Sequence, residues 1–221
     1  MSTVVVVAPH PDDETLGCGG SILRHCDEGD KVHWLIMTSM TEEGGFKKED
    51  IETRQNEIER VAELYGFTSV KQAGFKTAEL DLVAKKKVVQ VTSDFFNDVK
   101  PDIIYLPFSN DVHSDHQVVF DAVTACTKTF RYPYIKNVRA YETLSETEFS
   151  LKVDDGFRPN LWLNISDYLD RKIEIMNVYK GEMGKHPFPR SEKNIRALAS
   201  FRGAFAGCEA SEAFMSLKEI I

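Results

Sequence analysis

Val4-Val5-Val6-Val7-Ala8-Pro9-His10-Pro11-Asp12-Asp13-Glu14-Thr15-Leu16-Gly17-Cys18-Gly19-Gly20 is the stretch that decides the fold. The β-branched run reads as a buried strand. It ends at Ala8-Pro9, and His10, Pro11, Asp12, Asp13 and Glu14 follow at once. From Thr15 to about Glu28 the pattern is helical, with Gly17, Gly19 and Gly20 where the helix would press on a sheet. One imidazole and three carboxylates thus stand just past the carboxyl end of the first strand. Open α/β sheets bind their ligands there.

These acids can be read in two ways. They suit an N-cap and first helical turn, where the helix dipole favours negative charge. They also suit a metal site, because His and Asp are zinc ligands and a catalytic zinc keeps one position for water. In that case one Asp binds metal while the other stays free as a base. Capping alone leaves His10 unexplained, as well as the pairing of Asp12 with Asp13.

A second cluster follows the same plan. Asp102 to Leu106 reads as a strand, Pro107 to Val112 as a loop, and His113-Ser114-Asp115-His116 precedes a helix from about Gln117. On neighbouring parallel strands the two clusters would face each other across one crevice. The second offers two imidazoles and a carboxylate able to orient one of them.

Ala8-Pro9-His10-Pro11-Asp12-Asp13-Glu14 followed by His113-Ser114-Asp115-His116 resembles the paired motifs of the LmbE-like, or PIG-L, zinc-dependent deacetylases. The resemblance covers most of the chain. It implies an α/β, Rossmann-like three-layer sandwich with a mostly parallel sheet and an added C-terminal segment. The implied activity is zinc-dependent removal of an N-acetyl group from an N-acetylglucosamine-type sugar. The implied zinc ligands are His10, Asp13 and His116, with iron or cobalt as substitutes. Asp12 would be the general base. A protonated His113 would steady the oxyanion, with Asp115 bonded to it. Arg54, in Arg54-x-x-Glu57, would reach the substrate; without the resemblance this pair reads as a surface i,i+3 ion pair. One position departs from the pattern. Some sugar deacetylases of the family carry Tyr two residues before the first His of the second motif, where this chain has Asp111. Either that function is absent or another residue serves it, and Asp111 is a candidate pocket residue.

The chain has 221 residues, enough for one α/β domain over its whole length. Net charge is −8 with no basic stripe, so no nucleic-acid partner is expected. No apolar run approaches the ~20 residues that span a bilayer. The N-terminus enters the first strand almost at once, so no signal peptide is expected. Cys18, Cys26, Cys126 and Cys208 show no CxxC spacing. Reduced thiols in the cytoplasm are the expectation. The GxGxxG spacing is absent, which argues against a dinucleotide site.

Strands at Lys31 to Thr38, Val70 to Gly74 and Val138 to Glu142 alternate with helices at about Ile51 to Tyr65, Ala78 to Val99 and Gln117 to Phe130. This alternation predicts a parallel sheet covered on both faces. The polar loop Ser39 to Asp50 belongs at the site rim. Later come a strand at Leu161 to Ile165 and a helix at Asp167 to about Tyr179. A rigid segment, His186-Pro187-Phe188-Pro189-Arg190-Ser191, leads into a helix from Glu192 to Gly203. His186 and Arg190 are candidate pocket residues, against the plain alternative of a turn with surface charge. Arg202 to Phe214 resembles the C-terminal signature of many bacterial members; it is expected to close the pocket or to pack against a second subunit in a homo-oligomer. The expected partner is a small amino-sugar. The alternatives are a zinc amidase on another acylated amine or thiol conjugate, and a non-catalytic metal-binding scaffold. Magnesium phosphoryl transfer fits less well, because imidazoles suit zinc better.

Overall fold

β1 (Thr3–Ala8), β2 (Lys31–Ser39), β3 (Ser69–Lys76), β4 (Ile103–Pro107) and β5 (Asn137–Tyr141) form the parallel part of a seven-stranded sheet. β6 (Leu161–Asn164) and β7 (Ser211–Glu219) complete it in the order β3-β2-β1-β4-β5-β7-β6, with β7 antiparallel to both neighbours. The computed structural model describes residues 1–221, Val153 by its backbone alone. Its helices are α1 (Asp13–Asp27), α2 (Lys48–Tyr65), α3 (Lys85–Val99), α4 (Ser114–Ala125), α5 (Leu169–Met176) and α6 (Glu192–Ala206).

The unbroken valine run is explained by a helical layer on each face of β1. Val4 and Val6 join the core containing Ile22, Ile58, Ile173 and Ile195 of α1, α2, α5 and α6. Val5 and Val7 join the core containing Val88, Phe96, Val119 and Val123 of α3 and α4. Successive side chains point to opposite faces, so a strand covered on both sides carries no polar alternation. Gly17 is needed where α1 crosses the sheet: a Cβ there would collide with the Tyr141 ring.

β1 pairs with β2 on one side and β4 on the other. The chain builds outward from β1 through β2 to β3, then returns to start again at β4. The boundary between β1 and β4 is therefore the topological switch point, where the loops diverge and leave a crevice. Both polar motifs follow these two strands.

Several elements differ from their sequence expectation. The third helix starts at Lys85, not Ala78. Ala78 has φ +61°, and its backbone N–H, like that of Leu80, donates to Asp115. That demand holds residues 77–84 as a loop with a single 3-10 turn at Leu80–Leu82. The fourth helix starts at Ser114, because His113 caps it by accepting the Asp115 N–H, and it stops at Ala125. The second motif is thus a helix cap and first turn rather than a loop. Residues 202–214 do not close the pocket. They finish α6 and enter β7, which lies inside the chain's own sheet.

α1 is broken near Cys18, whose φ is −145°. Glu212 of β7 fills the break, accepting from Gly20 N and Ser21 N, both at 2.8 Å, and from Ser21 Oγ at 2.7 Å. Lys172 of α5 donates to the freed Leu16 carbonyl at 2.9 Å and to Glu212 at 2.7 Å. The ion pair thereby satisfies backbone groups that an unbroken helix would satisfy itself.

Candidate metal and substrate site

Three ligand atoms converge at the switch point. His10 Nδ1 lies 3.3 Å from Asp13 Oδ2, and His116 Nε2 lies 3.2 Å from the same oxygen. Tetrahedral zinc with bonds of about 2.0–2.1 Å sets its donors about 3.3 Å apart. His116 is fully buried, and its Nε2 has no hydrogen-bond partner among the described residues. An orphaned imidazole nitrogen facing a carboxylate suits a divalent cation. A second grouping, His10, His113 and Asp115, is already satisfied internally, since Asp115 accepts from Ala78 N at 2.7 Å and Leu80 N at 3.1 Å. A third, around His25, is closed as well: both ring nitrogens are bonded, to Asp30 at 2.8 Å and to the Tyr105 hydroxyl at 3.0 Å.

The carboxylates that position the imidazoles were not the ones expected. Asp115 meets His10, with Oδ2 3.1 Å from His10 Nε2. Toward His113 it offers only its backbone N–H, which donates to Nδ1 at 3.1 Å. That bond requires a bare Nδ1, so a neutral His113 carries its proton on Nε2. Burial, with His10 nearby, pushes His113 below its ordinary value, in contrast to the protonated ring expected. Asp111 is not a pocket residue. It is fully buried and holds His116 Nδ1.

Charge follows this wiring. Burial lowers the His10 pKa, but hydrogen bonds to Asp115 and Asp13 outweigh it and raise it to about 9. Burial opposes His116 likewise, and Asp13 with Asp111 carries it to about 10. Burial would raise Asp13; the two imidazoles hold it well below the usual range.

Asp12 occupies the N-cap position of α1 yet makes no capping bond with its side chain. Its φ is +133°, a strained value for a residue with a Cβ. The capping explanation therefore fails here. Arg190 Nη1 donates to Asp12 Oδ2 at 2.8 Å. Burial and the neighbouring Asp13 push Asp12 up, while Arg190 pulls it back. Glu14 buttresses this turn: it accepts from Asp12 N at 3.0 Å, Thr15 Oγ1 at 2.7 Å and the Tyr179 hydroxyl at 2.9 Å. Burial lifts the Glu14 carboxyl to about 7.

A cavity of about 190 Å³ opens beside the cluster, with His10, Asp12, His113, Arg54 and Arg190 in its wall. Arg54 is paired with Glu57 at 3.2 Å, but it is not a surface residue: its side chain is 12% exposed. It donates to the Pro11 carbonyl at 2.8 Å and to Glu182. Ser39 and Met40 of the polar loop also reach the cavity. His186 is exposed and lies outside the cavity wall. The sequence reading overlooked Glu182 and Glu146, which lie in loops without any motif and also line the cavity.

Residues 5–127 match the family model for PIG-L, described as GlcNAc-PI de-N-acetylase. The diacetylchitobiose deacetylase of Thermococcus kodakarensis is 25% identical over 221 residues, spanning 94% of this chain and 80% of that protein. The N,N'-diacetylchitobiose deacetylase from Pyrococcus horikoshii superposes with a TM-score of 0.76 at 21% identity, over 98% of this chain and 84% of that one. A 4-carboxy-2-hydroxymuconate hydratase from Pseudomonas putida KT2440 superposes with a TM-score of 0.78 at 18% identity, over 100% of this chain and 98% of that one. The solved structures share the fold, and the hydratase among them means that the fold by itself does not specify the reaction.

Proposed function

The chain belongs to the PIG-L family, and from that premise we propose that it is a zinc-dependent N-deacetylase of an N-acetylglucosamine-type sugar or glycoconjugate. The observation that carries this proposal is the convergence of His10 Nδ1, Asp13 Oδ2 and His116 Nε2 beside a buried, strained Asp12 at a cavity wall. The match to deacetylases of N-acetylated sugars supports the substrate class. The cavity volume of about 190 Å³ lies below the ~300 Å³ at which drug-sized pockets begin. It suits one sugar unit at the metal, with any remaining substrate outside.

His10, Asp13 and His116 would hold the ion; two imidazoles and a carboxylate suit zinc, with iron or cobalt as substitutes. When bound there, such an ion would supply Lewis acidity and lower the pKa of water. Asp12 takes the proton of the attacking water and returns it to the leaving nitrogen. A carboxyl group raised by burial holds that proton better than a free one. Arg190 occupies Oδ2 and leaves Oδ1 for the transfer. His113 donates from Nε2 to the carbonyl oxygen as charge develops there. Arg54, fixed between Pro11, Glu57 and Glu182, orients the substrate.

Residues 1–221 act as one catalytic unit, with a small amino-sugar as partner. The four cysteines are unpaired, which suits a reducing cytoplasm. Among the described residues, no helix is long and apolar enough to cross a membrane.

The test is acetate release from N-acetylglucosamine, its disaccharide, a nucleotide-linked form and a glycosyl-inositol, after chelation and again after zinc is restored. Zinc-dependent acetate is the expected result. Stoichiometric zinc with no acetate from any sugar would overturn the deacetylase and favour an amidase on another acyl group.

A further inference from the structure

Glu146 follows β5 in a loop outside both motifs. It is 9% exposed and lines the cavity. Its Oε2 is buried without a hydrogen-bond partner among the described residues. Its Oε1 stands 3.6 Å from Arg190 Nη2, too far for a hydrogen bond. The other donors of Arg190 are engaged: Nε with Ser145 Oγ at 2.7 Å, and Nη1 with Asp12 at 2.8 Å and Glu182 at 2.7 Å. Oε2 is closed to solvent, so the acceptor the wall presents is Oε1, beside a guanidinium nitrogen with spare donors.

A buried carboxylate that makes no hydrogen bond is costly, even beside a guanidinium, and native structures rarely keep one without a reason. Glu146 lies outside the groupings whose side chains converge closely enough to hold a metal ion, although His116 and Asp13 are among the charged groups it feels. A hydroxyl both donates and accepts. Two adjacent hydroxyls can therefore satisfy the pair together, one giving its proton to Glu146 and its neighbour accepting from Arg190 Nη2.

We propose that Glu146 and Arg190 Nη2 recognise vicinal hydroxyls of the sugar ring whose acylamino group lies over the metal ligands. This rests on the deacetylase function proposed above and assigns the contact that selects a polyhydroxylated ring over a simple acylated amine. Glu146 is the residue to vary, because Arg190 also contacts Asp12.

The test uses the zinc-loaded full chain, wild type and Glu146→Gln, with N-acetylglucosamine and its 3-deoxy, 4-deoxy and 6-deoxy analogues. Both turnover and direct calorimetric binding are measured. Glu146→Gln should raise KM for the parent sugar about tenfold to a hundredfold while leaving kcat nearly unchanged. Wild type should bind one ring-deoxy analogue correspondingly worse than the parent, and the variant should lose most of that difference. The parent-to-deoxy ratio is taken on one preparation, so partial misfolding of the variant cancels. Equal ratios in wild type and variant would overturn the assignment. If the sugars bind but release no acetate, the deacetylase function falls while the binding ratios still judge Glu146. If they neither bind nor react, both fall.

Discussion

His116 Nδ1 lies 2.8 Å from Asp111 Oδ2, and the other oxygen of Asp111 accepts the Thr147 hydroxyl at 2.6 Å. This fixes the ring so that Nε2 faces Asp13. Asp111, two residues before His113, thus orients from behind the imidazole proposed to bind metal.

Asp111→Asn should therefore weaken zinc binding about tenfold to a hundredfold while leaving the fold intact, as partners behind a ligating His commonly do. His116→Ala should lose the metal outright. Competition with a chelator gives the affinities, and wild-type affinity in Asp111→Asn would contradict the role.

Asp12→Asn should keep zinc and lose about 10²–10⁴ in kcat, the usual contribution of a general base. Metal content and turnover are measured on the same sample. Normal turnover would end the assignment of Asp12 as the base.

Glu212 and Lys172 have side chains about 5% exposed and bond the backbone where α1 breaks. Removing one partner leaves a buried charge and unpaired amides. Glu212→Ala should cost about 3–5 kcal/mol in denaturant unfolding. The double variant Glu212→Ala, Lys172→Met should lose less than the two single variants added together. Simple additivity would mean that the pair does not act as a unit.

Without metal, His10 and His116 titrate at about 9 and about 10 in the folded chain, against an ordinary 6.5. Across that window the folded state holds protons that the unfolded state has released. The stability this provides is complete below pH 6.5 and is lost as pH rises through about 9 to 10. Chelated protein should melt at progressively lower temperature over this range. Zinc added near pH 7 should release protons, because it displaces them from both rings. Melting curves that do not move with pH would refute the wiring.

Much of the site was legible because its chemistry is local. Residues 10–14 and 113–116 each sit within one turn of a strand end, so the strand pattern places them without help from the rest of the chain. The second set of carboxylates was not legible in this way. Asp115 lies two residues from His113 in sequence but extends to His10. Asp111 looked like a pocket residue and lies behind His116. His186 and Arg190 are close in sequence and indistinguishable by composition, yet one is solvent-exposed and the other bonds Asp12.

The sequence by itself determined the layered α/β fold, the two strands that carry the site and the residue types able to bind metal. These follow from side-chain periodicity and from the direction of each strand, both properties of short segments. Only the tertiary structure decided which carboxylate orients which imidazole, that Arg190 meets Asp12 from 178 residues away, and that β7 enters the sheet to cap a broken helix. Such pairings depend on where loops of unrelated sequence close together. That is set by the packing of the whole core, and no local pattern records it.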